Sequence, residues 1–524
     1  LVSDPIDQAG VDILSQVAQV DQRPGLSPEE LVSVIGDYDG LMIRSGTQVT
    51  AEVIAAASKL KIIGRAGVGV DNVDVPAATQ RGVLVVNSPE GNTIAAAEHA
   101  LAMMLSLSRH VPQAHAGMRV GKWDRKKYVG NELYKKTLGV VGLGKIGSHV
   151  ARVARAMGME VIAYDPFIAA DRAQQMQVRL TELDELFRTA DYVTLHIPRT
   201  KDTENLVNAE LLRTMKPTAR IVNCARGGVV DEAAIAEAIN NGVIAGAGLD
   251  VYASEPLAED SPLRAVERGL VLTPHLGAST EEAQENVAID VAEQIRDVLL
   301  GLPARSAVNI PGLSAEIMER LKPHLQLAET VGGLVSQLSG GQVQELELRL
   351  QGDFASHPSQ PLVIASLKGL LGAVLGDSIN FVNASLEAKA RGIRVLEVKD
   401  EASRDYAGGS LQLISRGDQG SRSVTGAVFA DGELRITSID EFPVNVTPSS
   451  HMLFTRHRDM PGIIGQLGSM LGEHNVNIAA MQVGRKIVRG DAVMVLSIDD
   501  PIPAALLQTI TAIDGIQEAH PVSL

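Results

Sequence analysis

Three short stretches of the sequence each supply a side chain that could take part in acid–base chemistry. NCARGG contains Arg226, LDVYASEP contains Glu255 and TPHLGAST contains His275. Each stretch follows a predicted strand, and open parallel sheets bind ligands at the carboxyl ends of their strands. An arginine can hold a carboxylate through two hydrogen bonds, a histidine can accept a hydroxyl proton, and a glutamate can orient that histidine. Hydride transfer from a 2-hydroxy acid requires this set of groups.

Each of these residues also has a purely structural interpretation. Arg226 could be an ordinary ion-pair partner. Glu255, which precedes a proline, could be a solvated loop acid, and His275, which follows one, could be bonded to the backbone. The spacing alone does not exclude these alternatives.

A glycine-rich loop lies upstream, in LGVVGLGKIGSHVARVARAMGMEVIAYDP. Gly142, Gly144 and Gly147 fill the pattern G-x-G-x-x-G between a predicted strand and a predicted helix. This pattern predicts a dinucleotide site, with the pyrophosphate at the helix N-terminus. Asp165 ends the next strand, where a carboxylate can accept both ribose hydroxyls, and it favours NAD over NADP. Lys145 could contact phosphate or be a solvated surface lysine.

A second glycine-rich stretch, GRAGVGVDN at 64–72, differs from the first. It lacks the third glycine at the required spacing, and no amphipathic helix follows it directly. We interpret it as a loop on the substrate side, whose exposed amides could bind a carboxylate.

The elements that position these residues alternate along residues 1–309. Short β-branched runs are separated by helical segments, which predicts parallel α/β layers. Long helical runs at 93–110 and 279–300 would be the crossings between two domains. The predicted architecture is a Rossmann-type nucleotide domain, 93–271, inserted in a flavodoxin-like substrate domain formed by 1–92 and 272–309.

The sequence changes character after the stretch 301–313. Residues 310–448 predict an α+β domain with glycine pairs and alternating strands, and no catalytic motif is evident there. Residues 449–524 have the order β-α-β-β-α-β, which predicts a ferredoxin-like domain.

The composition bounds the function classes. The 524 residues predict about three to four domains, and the net charge of −16 disfavours nucleic acid and anionic membranes as partners. A single cysteine, Cys224, excludes an internal disulfide framework and a cysteine metal cluster, and it fits a reducing, cytoplasmic compartment. We predict no metal. We expect no secretory signal and no apolar run long enough to span a bilayer, because the candidate at 94–108 contains Glu98 and His99.

Several motifs together resemble the D-isomer-specific 2-hydroxyacid dehydrogenases, over essentially the whole chain. They are GRAGVGVDNVD, the run from GNTIAAAEHALAM through GKW, KTLGVVGLGKIG, NCARGGVVDE and TPHLGAST. The resemblance implies that Arg226, Glu255 and His275 form the active site, with His275 as proton carrier. It also implies contacts to NAD at Lys145, Ile146, Asp165, His196, Ile197, Pro198, Cys224, Ala225, Arg226, Asp250, His275, Gly277 and Ala278.

The resemblance also implies a substrate. It assigns Arg44 and the loop residues Gly67, Val68, Gly69 and Asn72 to the substrate, and Arg65 immediately before that loop is a further candidate. Such cations suit a phosphorylated acid, whereas we interpret the basic run at 125–127 as solvated. The activity implied by the long-form family members is oxidation of 3-phosphoglycerate to 3-phosphohydroxypyruvate, which commits the substrate to serine synthesis.

Two alternatives stay open. A glyoxylate or hydroxypyruvate reductase would share the same catalytic groups, but the extra C-terminal domains disfavour it. A binding protein that senses NADH would need no turnover, and the retained Arg226, Glu255 and His275 disfavour it.

The last domain resembles an ACT domain, a small module that binds amino acids. Its first loop, HRDMPG, contains His457 and Asp459, and Asn477 could reach across from a neighbouring copy. The resemblance implies L-serine as an effector at these three residues. Alternatively, the domain only dimerises, or Asp459 caps a helix. Family members often have asparagine in place of Asp459.

The middle domain resembles the intervening domain of the long-form members. Arg391 and Arg394 could contact an anion there or be ordinary surface arginines. Paired ACT domains and paired nucleotide domains would permit a homo-oligomer, either a dimer or a tetramer.

Overall fold

A computed structural model describes residues 1–310, 315–401, 409–429 and 432–524. The last residues of the predicted linker, 311–313, lie outside the described residues. The described chain contains sheets of three, seven, six and four strands.

The first sheet is parallel, with the strand order β1-β2-β3. Single bridges extend it: Val2 joins Met42 and Gln22, and Val86 joins Ala307 in the returning chain. The elements are α1 (Gln8–Ser15), α2 (Pro28–Val34), β1 (Gly40–Ile43), α3 (Ala51–Ala56), β2 (Ile62–Arg65), α4 (Val75–Arg81) and β3 (Leu84–Asn87).

The second sheet has seven parallel strands in the order β10-β9-β8-β7-β4-β5-β6. Its two halves diverge between β4 and β7, which is the strand order of a doubly wound dinucleotide-binding sheet. The elements are α5 (Thr93–Arg109), α6 (Val111–Arg119), β4 (Thr137–Val141), α7 (Lys145–Ala156), β5 (Glu160–Tyr164), α8 (Ala170–Gln175), β6 (Arg179–Leu180), α9 (Leu183–Thr189), β7 (Tyr192–Leu195), α10 (Ala209–Arg213), β8 (Arg220–Asn223), α11 (Glu232–Asn240), β9 (Gly246–Leu249) and β10 (Leu270–Leu272). The predicted Rossmann-type architecture is confirmed.

Two long helices connect these sheets. Helix α5 buries Ala97, Ala100 and Met103 in the core of the nucleotide domain. Helix α12 (Glu281–Leu299) instead buries Val291 and Ile295 in the core of the small domain. Each connecting helix is therefore packed in the core of one of the two domains, so the loops at its ends are held by that domain.

The third sheet has six strands in the order β12-β11-β13-β14-β15-β16, with α13 and α15 packed on one face. It is mixed, because β11 pairs parallel with β12 and antiparallel with β13. The elements are α13 (Ala315–Ser339), β11 (Val343–Gln351), α14 (Asp353–Ser356), α15 (Ser359–Leu375), α16 (Ala384–Ala390), β12 (Arg394–Asp400), β13 (Ser410–Gly417), β14 (Gly420–Val428), β15 (Leu434–Ile439) and β16 (Phe442–Val446).

The expectation that the chain contains no apolar run of membrane-spanning length is wrong by length and composition. The segment Ser359–Ser378 is long and apolar enough, and 50% of it is buried inside the protein. Helix α15 is apolar because it packs in the core, where Leu362, Leu367 and Leu370 are at most 2% exposed. Core helices of this kind meet the same criteria as membrane spans.

The fourth sheet has the order β18-β19-β17-β20, which confirms the predicted ferredoxin-like fold. One face carries two helices, packed on Leu453 and Leu496. The other face, including Met452 and Phe454, joins the core of the third sheet. The elements are β17 (His451–Arg458), α17 (Ile463–Glu473), β18 (Ile478–Arg485), β19 (Asp491–Ile498), α18 (Ala504–Thr511) and β20 (Ile516–Ser523).

Candidate active site

The glycine-rich loop connects β4 to α7, and its three glycines have different surroundings. Gly142 has a φ of 93°, which lies in the left-handed region. At Gly144 no described atom lies within 4 Å of the position that a Cβ would take. At Gly147 a Cβ would collide with the carbonyl oxygen of Gly142. The loop therefore turns tightly, leaves space beside its second glycine and packs the helix closely, and these residues fit a bound dinucleotide.

Asp165 lies at the end of β5, beside this loop. Its Oδ2 accepts a hydrogen bond from the Leu143 N–H at 2.7 Å, and its Oδ1 accepts one from the Phe167 N–H at 2.9 Å. Each carboxylate oxygen keeps a second lone pair for a ribose hydroxyl. Lys145 pairs with Glu90 of the small domain. Its ammonium group therefore bridges the two domains.

The segment after β7 lines the other side of the loop. The backbone N–H of His196 donates to Val141 at 2.8 Å, and the side chain of Ile197 lies against Gly142. Burial lowers the pKa of His196 to about 4. The imidazole is therefore neutral at pH 7. Pro198 is exposed, and Ile146 packs partly buried on the nucleotide core.

His275 and Glu255 form the predicted pair. The Nδ1 of His275 lies 2.7 Å from Oε2 of Glu255, and the two side chains are 47% and 37% exposed. The Oε1 of Glu255 accepts a hydrogen bond from the Tyr252 N–H at 3.1 Å. His275 has a φ of 54°, an uncommon conformation for a residue with a side chain. The imidazole is thus oriented through Nδ1 and half exposed to solvent.

Asp250 organises the loop that carries His275. It is fully buried, and its backbone carbonyl accepts from the His275 N–H at 2.9 Å. Its carboxylate accepts hydrogen bonds from Thr273, Leu276 and Gly277 at 2.6 to 2.9 Å. Burial by itself raises the pKa of Asp250, but hydrogen bonds from His99 and Thr273 outweigh it, so the pKa is lowered. The carboxylate that we predict to contact NAD therefore also holds the loop that carries His275.

Two further residues in this network were not predicted from the sequence. His99, on α5, lies 3.1 Å from the Asp250 carboxylate, and Tyr252 donates its hydroxyl hydrogen to the Thr273 carbonyl at 2.8 Å. Burial raises the pKa of Tyr252 to about 12, so the hydroxyl remains a donor. The only sequence signal for His99 is its ionisable side chain within an apolar helix.

The NCARGG loop is braced from within. Asn223 accepts from the Ala225 N–H at 3.1 Å and donates to the Arg226 carbonyl at 2.9 Å. At Gly227 a Cβ would collide with the carbonyl of Tyr252, so the two catalytic loops touch through their backbones. This contact brings Arg226 and Glu255 to the same edge of the sheet.

Cys224 lies in the same region. His99, Cys224 and Asp250 offer ligand atoms within 4.8 Å of one another, a spacing that could hold a metal ion. Burial raises the pKa of the Cys224 thiol, and the thiolate is the form that binds metals. The Cys224 thiol is therefore protonated in the metal-free chain at pH 7.

The predicted substrate arginines form a group around the second glycine-rich loop. Burial, together with the nearby charges of Arg226 and Arg44, lowers the pKa of Arg65 to about 10. Within the described chain, the Nε of Arg65 is buried and lacks a hydrogen-bond partner. Its guanidinium lies against Gly67, where a Cβ would overlap it. Three cations near each other, one with an unused donor, suit an anionic ligand.

Asn72 positions this group. Its Nδ2 donates to the carbonyls of Arg44 and Thr47, at 2.7 and 2.6 Å. The carbonyl of Val68 accepts from the Asn87 side chain, and the carbonyl of Gly67 accepts from the Ser88 N–H. These bonds tie the carbonyl side of the loop to Asn87 and Ser88. The basic run at 125–127 is exposed, as predicted.

The predicted effector residues of the ACT domain have different environments. The Asp459 carboxylate accepts from the Arg485 side chain at 2.8 Å and from the Arg489 N–H at 3.0 Å. Asn477 is exposed and donates to Asp499 at 2.7 Å. His457 is only 2% exposed, and its Nδ1 has no hydrogen-bond partner in the described chain. The loop surface therefore presents Asp459 and Asn477, whereas His457 lies beneath it.

The alternative that Asp459 caps the helix is wrong. Helix α17 has Gly462 as its N-cap, with a φ of 95°, and no side chain makes a capping hydrogen bond there. Asp459 instead fixes the turn between β18 and β19. Arg489 lies in this turn, and Arg485 is the last residue of β18 before it. The hydrogen bond from the Arg489 N–H and then the one from the Arg485 side chain lower the pKa of Asp459.

The fold and this site define a dehydrogenase that uses a nicotinamide cofactor, and comparisons with known proteins specify it further. Residues 101–277 match the model of the D-isomer specific 2-hydroxyacid dehydrogenase NAD-binding domain. Residues 320–440 match the D-3-phosphoglycerate dehydrogenase intervening domain, and residues 451–515 match the ACT domain.

Relatives match along the whole chain. A D-3-phosphoglycerate dehydrogenase of Synechocystis is 63% identical over 525 residues, covering 100% of this chain and 94% of the relative. Those of Archaeoglobus fulgidus and Bacillus subtilis are 43% and 40% identical, covering 100% of this chain and 99% of each relative. The chain therefore belongs to the D-3-phosphoglycerate dehydrogenases of the D-isomer-specific 2-hydroxyacid dehydrogenase family, and its cofactor is NAD.

Solved structures resemble the first part of the chain. The TT0316 protein from Thermus thermophilus has a TM-score of 0.55 at 35% identity, over 59% of this chain and 98% of its own. A D-lactate dehydrogenase from Aquifex aeolicus, in complex with NAD and lactic acid, has a TM-score of 0.52 at 27% identity, over 57% of this chain and 95% of its own.

Proposed function

We propose that this chain oxidises 3-phospho-D-glycerate to 3-phosphohydroxypyruvate with reduction of NAD, the first step of the phosphorylated route to L-serine. The relatives that match over its full length carry the corresponding name. The observation that carries the proposal is the grouping of the arginines Arg44, Arg65 and Arg226 beside the His275–Glu255 pair. One cation suffices for the carboxylate of a 2-hydroxy acid, and the other two suit a phosphate.

Arg226 has the role of holding the substrate carboxylate. Its Nη1 donates to the Ala225 carbonyl at 2.7 Å, which fixes the guanidinium plane. Arg44 and Arg65 bind the phosphate. Because Arg44 and Arg65 bind the phosphate at one end of the substrate, its C2 hydroxyl is oriented towards the imidazole of His275.

His275 takes the proton of that hydroxyl at its Nε2. Its Nδ1 is bonded to Glu255, so Nε2 is the free ring atom. Glu255 stabilises the imidazolium that forms, as a carboxylate does in other histidine-based sites. Bound NAD supplies the acceptor for the hydride that leaves C2. Asp165, the glycine-rich loop and the segment His196–Pro198 are the residues that would hold it.

We propose the domain boundaries that the sequence predicts. The substrate domain comprises 1–92 and 272–309, and the NAD domain comprises 93–271. The intervening domain follows at 310–448, and the ACT domain at 449–524. The positions of α5 and α12 and the bridge between Val86 and Ala307 support this division.

We propose a homo-oligomer with two contact regions. Exposed apolar side chains cluster on α5, on α6 and on the segment that follows, with Met118 at 53%, Trp123 at 74% and Val129 at 77% exposure. Large exposed apolar patches commonly mark protein interfaces. In the ACT domain, β18 is an edge strand with an exposed Met481, which supports pairing of two ACT domains.

We propose that L-serine binds between paired ACT domains and lowers turnover. Asp459 is the carboxylate for the amino group, Asn477 of a second copy completes the site, and exposed amides at Gly462 suit the serine carboxylate. His457 remains a candidate for this site, although it is buried in the described arrangement. A reducing compartment such as the cytoplasm fits the single, buried cysteine.

Initial rates of NADH formation test the activity. We expect turnover with 3-phospho-D-glycerate at alkaline pH, and little or none with D-glycerate or D-lactate, because those acids lack the phosphate that Arg44 and Arg65 bind. Equal rates with D-glycerate would contradict the assignment of substrate. Binding of NAD without turnover of any acid would support a sensing protein.

The same assay tests the effector. We expect L-serine to lower the initial rate of the full chain, while D-serine, which matches it in size and charge, has a weaker effect. Analytical ultracentrifugation in parallel tests the oligomer. A monomeric chain would contradict a site formed between two ACT domains.

A further inference from the structure

A carboxylate on the second glycine-rich loop lies against the arginine that we assign to the substrate. The Oδ2 of Asp71 lies 3.2 Å from the Nε of Arg226. The other end of the guanidinium is occupied, because Nη1 donates to the Ala225 carbonyl at 2.7 Å. A carboxylate that binds arginine through two parallel hydrogen bonds needs either the Nε–Nη2 edge or the Nη1–Nη2 edge. The carboxylate of Asp71 therefore lies beside the Nε–Nη2 edge, one of the two edges that a substrate carboxylate could use.

Gly69 shows how closely the two side chains meet. A Cβ at this position would collide with Nη2 of Arg226, and it would lie 2.8 Å from Oδ2 of Asp71. The loop thus passes directly over the pair, and the absence of a side chain at Gly69 gives the pair its space. Asp71 and Arg226 are contributed by different domains, so the contact crosses the substrate cleft.

Asp71 differs from the other acid near these arginines. Asp4 is buried, and its carboxylate accepts from the N–H groups of Arg44 and Thr47 at 2.6 and 3.1 Å. The side chain of Asp71 is 76% exposed, and in the described chain Arg226 is its ion-pair partner. Exposed ion pairs are weak and exchange readily. Asp4 is fixed by the fold, whereas Asp71 can leave Arg226 when another carboxylate arrives.

We propose that Asp71 is an internal competitor for the substrate carboxylate. It holds the Nε edge of Arg226, and the substrate displaces it on binding. Asp71 therefore raises the KM of the reaction and weakens the binding of any carboxylate at Arg226. This inference rests on the proposed function, because it takes Arg226 as the site of the substrate carboxylate.

The proposal differs from a role for Asp71 in orienting Arg226, and the two roles have opposite consequences. Removing a competitor strengthens the binding of a carboxylate, whereas removing an orienting group weakens it. The substitution Asp71→Asn keeps the size of the side chain and removes its charge. We expect the KM for 3-phospho-D-glycerate to fall about two- to fivefold, the range for the loss of an exposed ion pair, and kcat/KM to rise equally. The difference from wild type should shrink as salt is added.

Direct binding provides a test that needs no turnover. Isothermal titration calorimetry of the full chain with oxalate, a small carboxylate, should give a lower Kd for Asp71→Asn by the same factor. Asp37→Asn is a matched control on the same domain, since that side chain is 88% exposed and lies 3.7 Å from Lys59. Asp71→Ser provides a second variant without the charge if the first one folds poorly.

The two assays separate this inference from the proposed function. If Asp71→Asn binds oxalate more tightly but the wild type does not oxidise 3-phospho-D-glycerate, the result supports Asp71 as a competitor and contradicts the proposed substrate. An unchanged or higher Kd for oxalate in Asp71→Asn overturns the proposal that Asp71 is a competitor, whether or not the chain oxidises 3-phospho-D-glycerate. A higher KM in Asp71→Asn overturns it as well, and it would make Asp71 a positioning residue for Arg226.

Discussion

Asp250 in the NAD domain and Asp459 in the ACT domain each organise a loop with a proposed role, but in different ways. Asp250 is fully buried, and its carboxylate accepts hydrogen bonds from residues of one loop and from α5. Asp459 has a side chain that is 24% exposed, and it bonds to a turn through Arg485 and Arg489. Both carboxylates have lowered pKa values.

The difference follows from what each loop must do. A buried carboxylate that loses one donor cannot replace it with water, so the Asp250 network keeps one geometry. An exposed carboxylate can exchange a protein donor for water or for a ligand at little cost. We therefore expect the loop that carries His275 to keep its geometry without substrate, and the proposed effector loop to respond to a ligand.

The largest effect should come from the base that Asp250 positions. His275→Asn removes the proton acceptor, and general-base catalysis contributes about 10²- to 10⁴-fold to rates. We expect kcat to fall within this range, measured as NADH formation under saturating substrate. His474→Asn, an exposed histidine in the ACT domain, is the control. A kcat for His275→Asn near that of wild type would show that another group takes the proton.

The substitution Asp250→Asn should have the next largest effect. Leu276 and Gly277 donate to different oxygens of Asp250, so the amide NH2 would face the N–H group of one of them. A buried unsatisfied group costs about 1–3 kcal/mol of stability. We expect a lower melting temperature and a kcat reduced about tenfold or more, because His275 loses its fixed position. The exposed Asp260→Asn is the control. Full activity in Asp250→Asn would show that the Asp250 carboxylate is not needed to position His275. The proposed difference between Asp250 and Asp459 would then be wrong.

The pH dependence of stability should also report on Asp250. Its pKa is lower in the folded than in the unfolded protein. The resulting stability is complete above the unfolded pKa of about 3.9 and is lost as the pH falls towards the folded value. We expect the difference in melting temperature between wild type and Asp250→Asn to be constant near neutral pH and to narrow below about pH 4. A difference that widens on acidification would contradict the lowered pKa.

The smallest effect should come from Asp459→Asn, which tests the responsive loop. Loss of one exposed charge should raise the L-serine concentration for half-inhibition about two- to fivefold. The measurement is the ratio of rates with and without serine, which cancels any change in turnover. Asp500→Asn, exposed in the same domain, is the control. An unchanged L-serine concentration for half-inhibition would show that Asp459 is not part of the effector site.

Much of the catalytic half was predictable, because its function depends on local patterns. Gly142, Gly144 and Gly147 follow a strand and precede a helix, and Asp165 ends the next strand, so the local pattern as a whole predicts the nucleotide loop. Tyr252 and His99 were not predictable in their supporting roles. Each acts through a partner distant in sequence, Thr273 for Tyr252 and Asp250 for His99, and no local pattern records that distance.

The C-terminal half shows the same division. Its alternation of strands and helices predicted the ferredoxin-like order, because periodicity depends on local burial. The environment of Asp459 was not predictable, since Arg485 and Arg489 are separated from it by helix α17 and by strand β18. From the sequence, a Pro-Gly turn before a helix is compatible with Asp459 as a helix cap and equally compatible with Asp459 in a ligand-binding loop.

The sequence by itself determined the family, and its motifs predicted the four blocks and the site residues Arg226, Glu255 and His275, because motifs consist of residue types in a local order. Only the tertiary structure decided which groups hold them. It showed that Asp250 fixes the loop of His275, that His457 is buried, and that Asp71 crosses the cleft to Arg226. The physical reason is that hydrogen bonds, burial and charge pairing depend on distances in space between residues that the order of the chain leaves far apart.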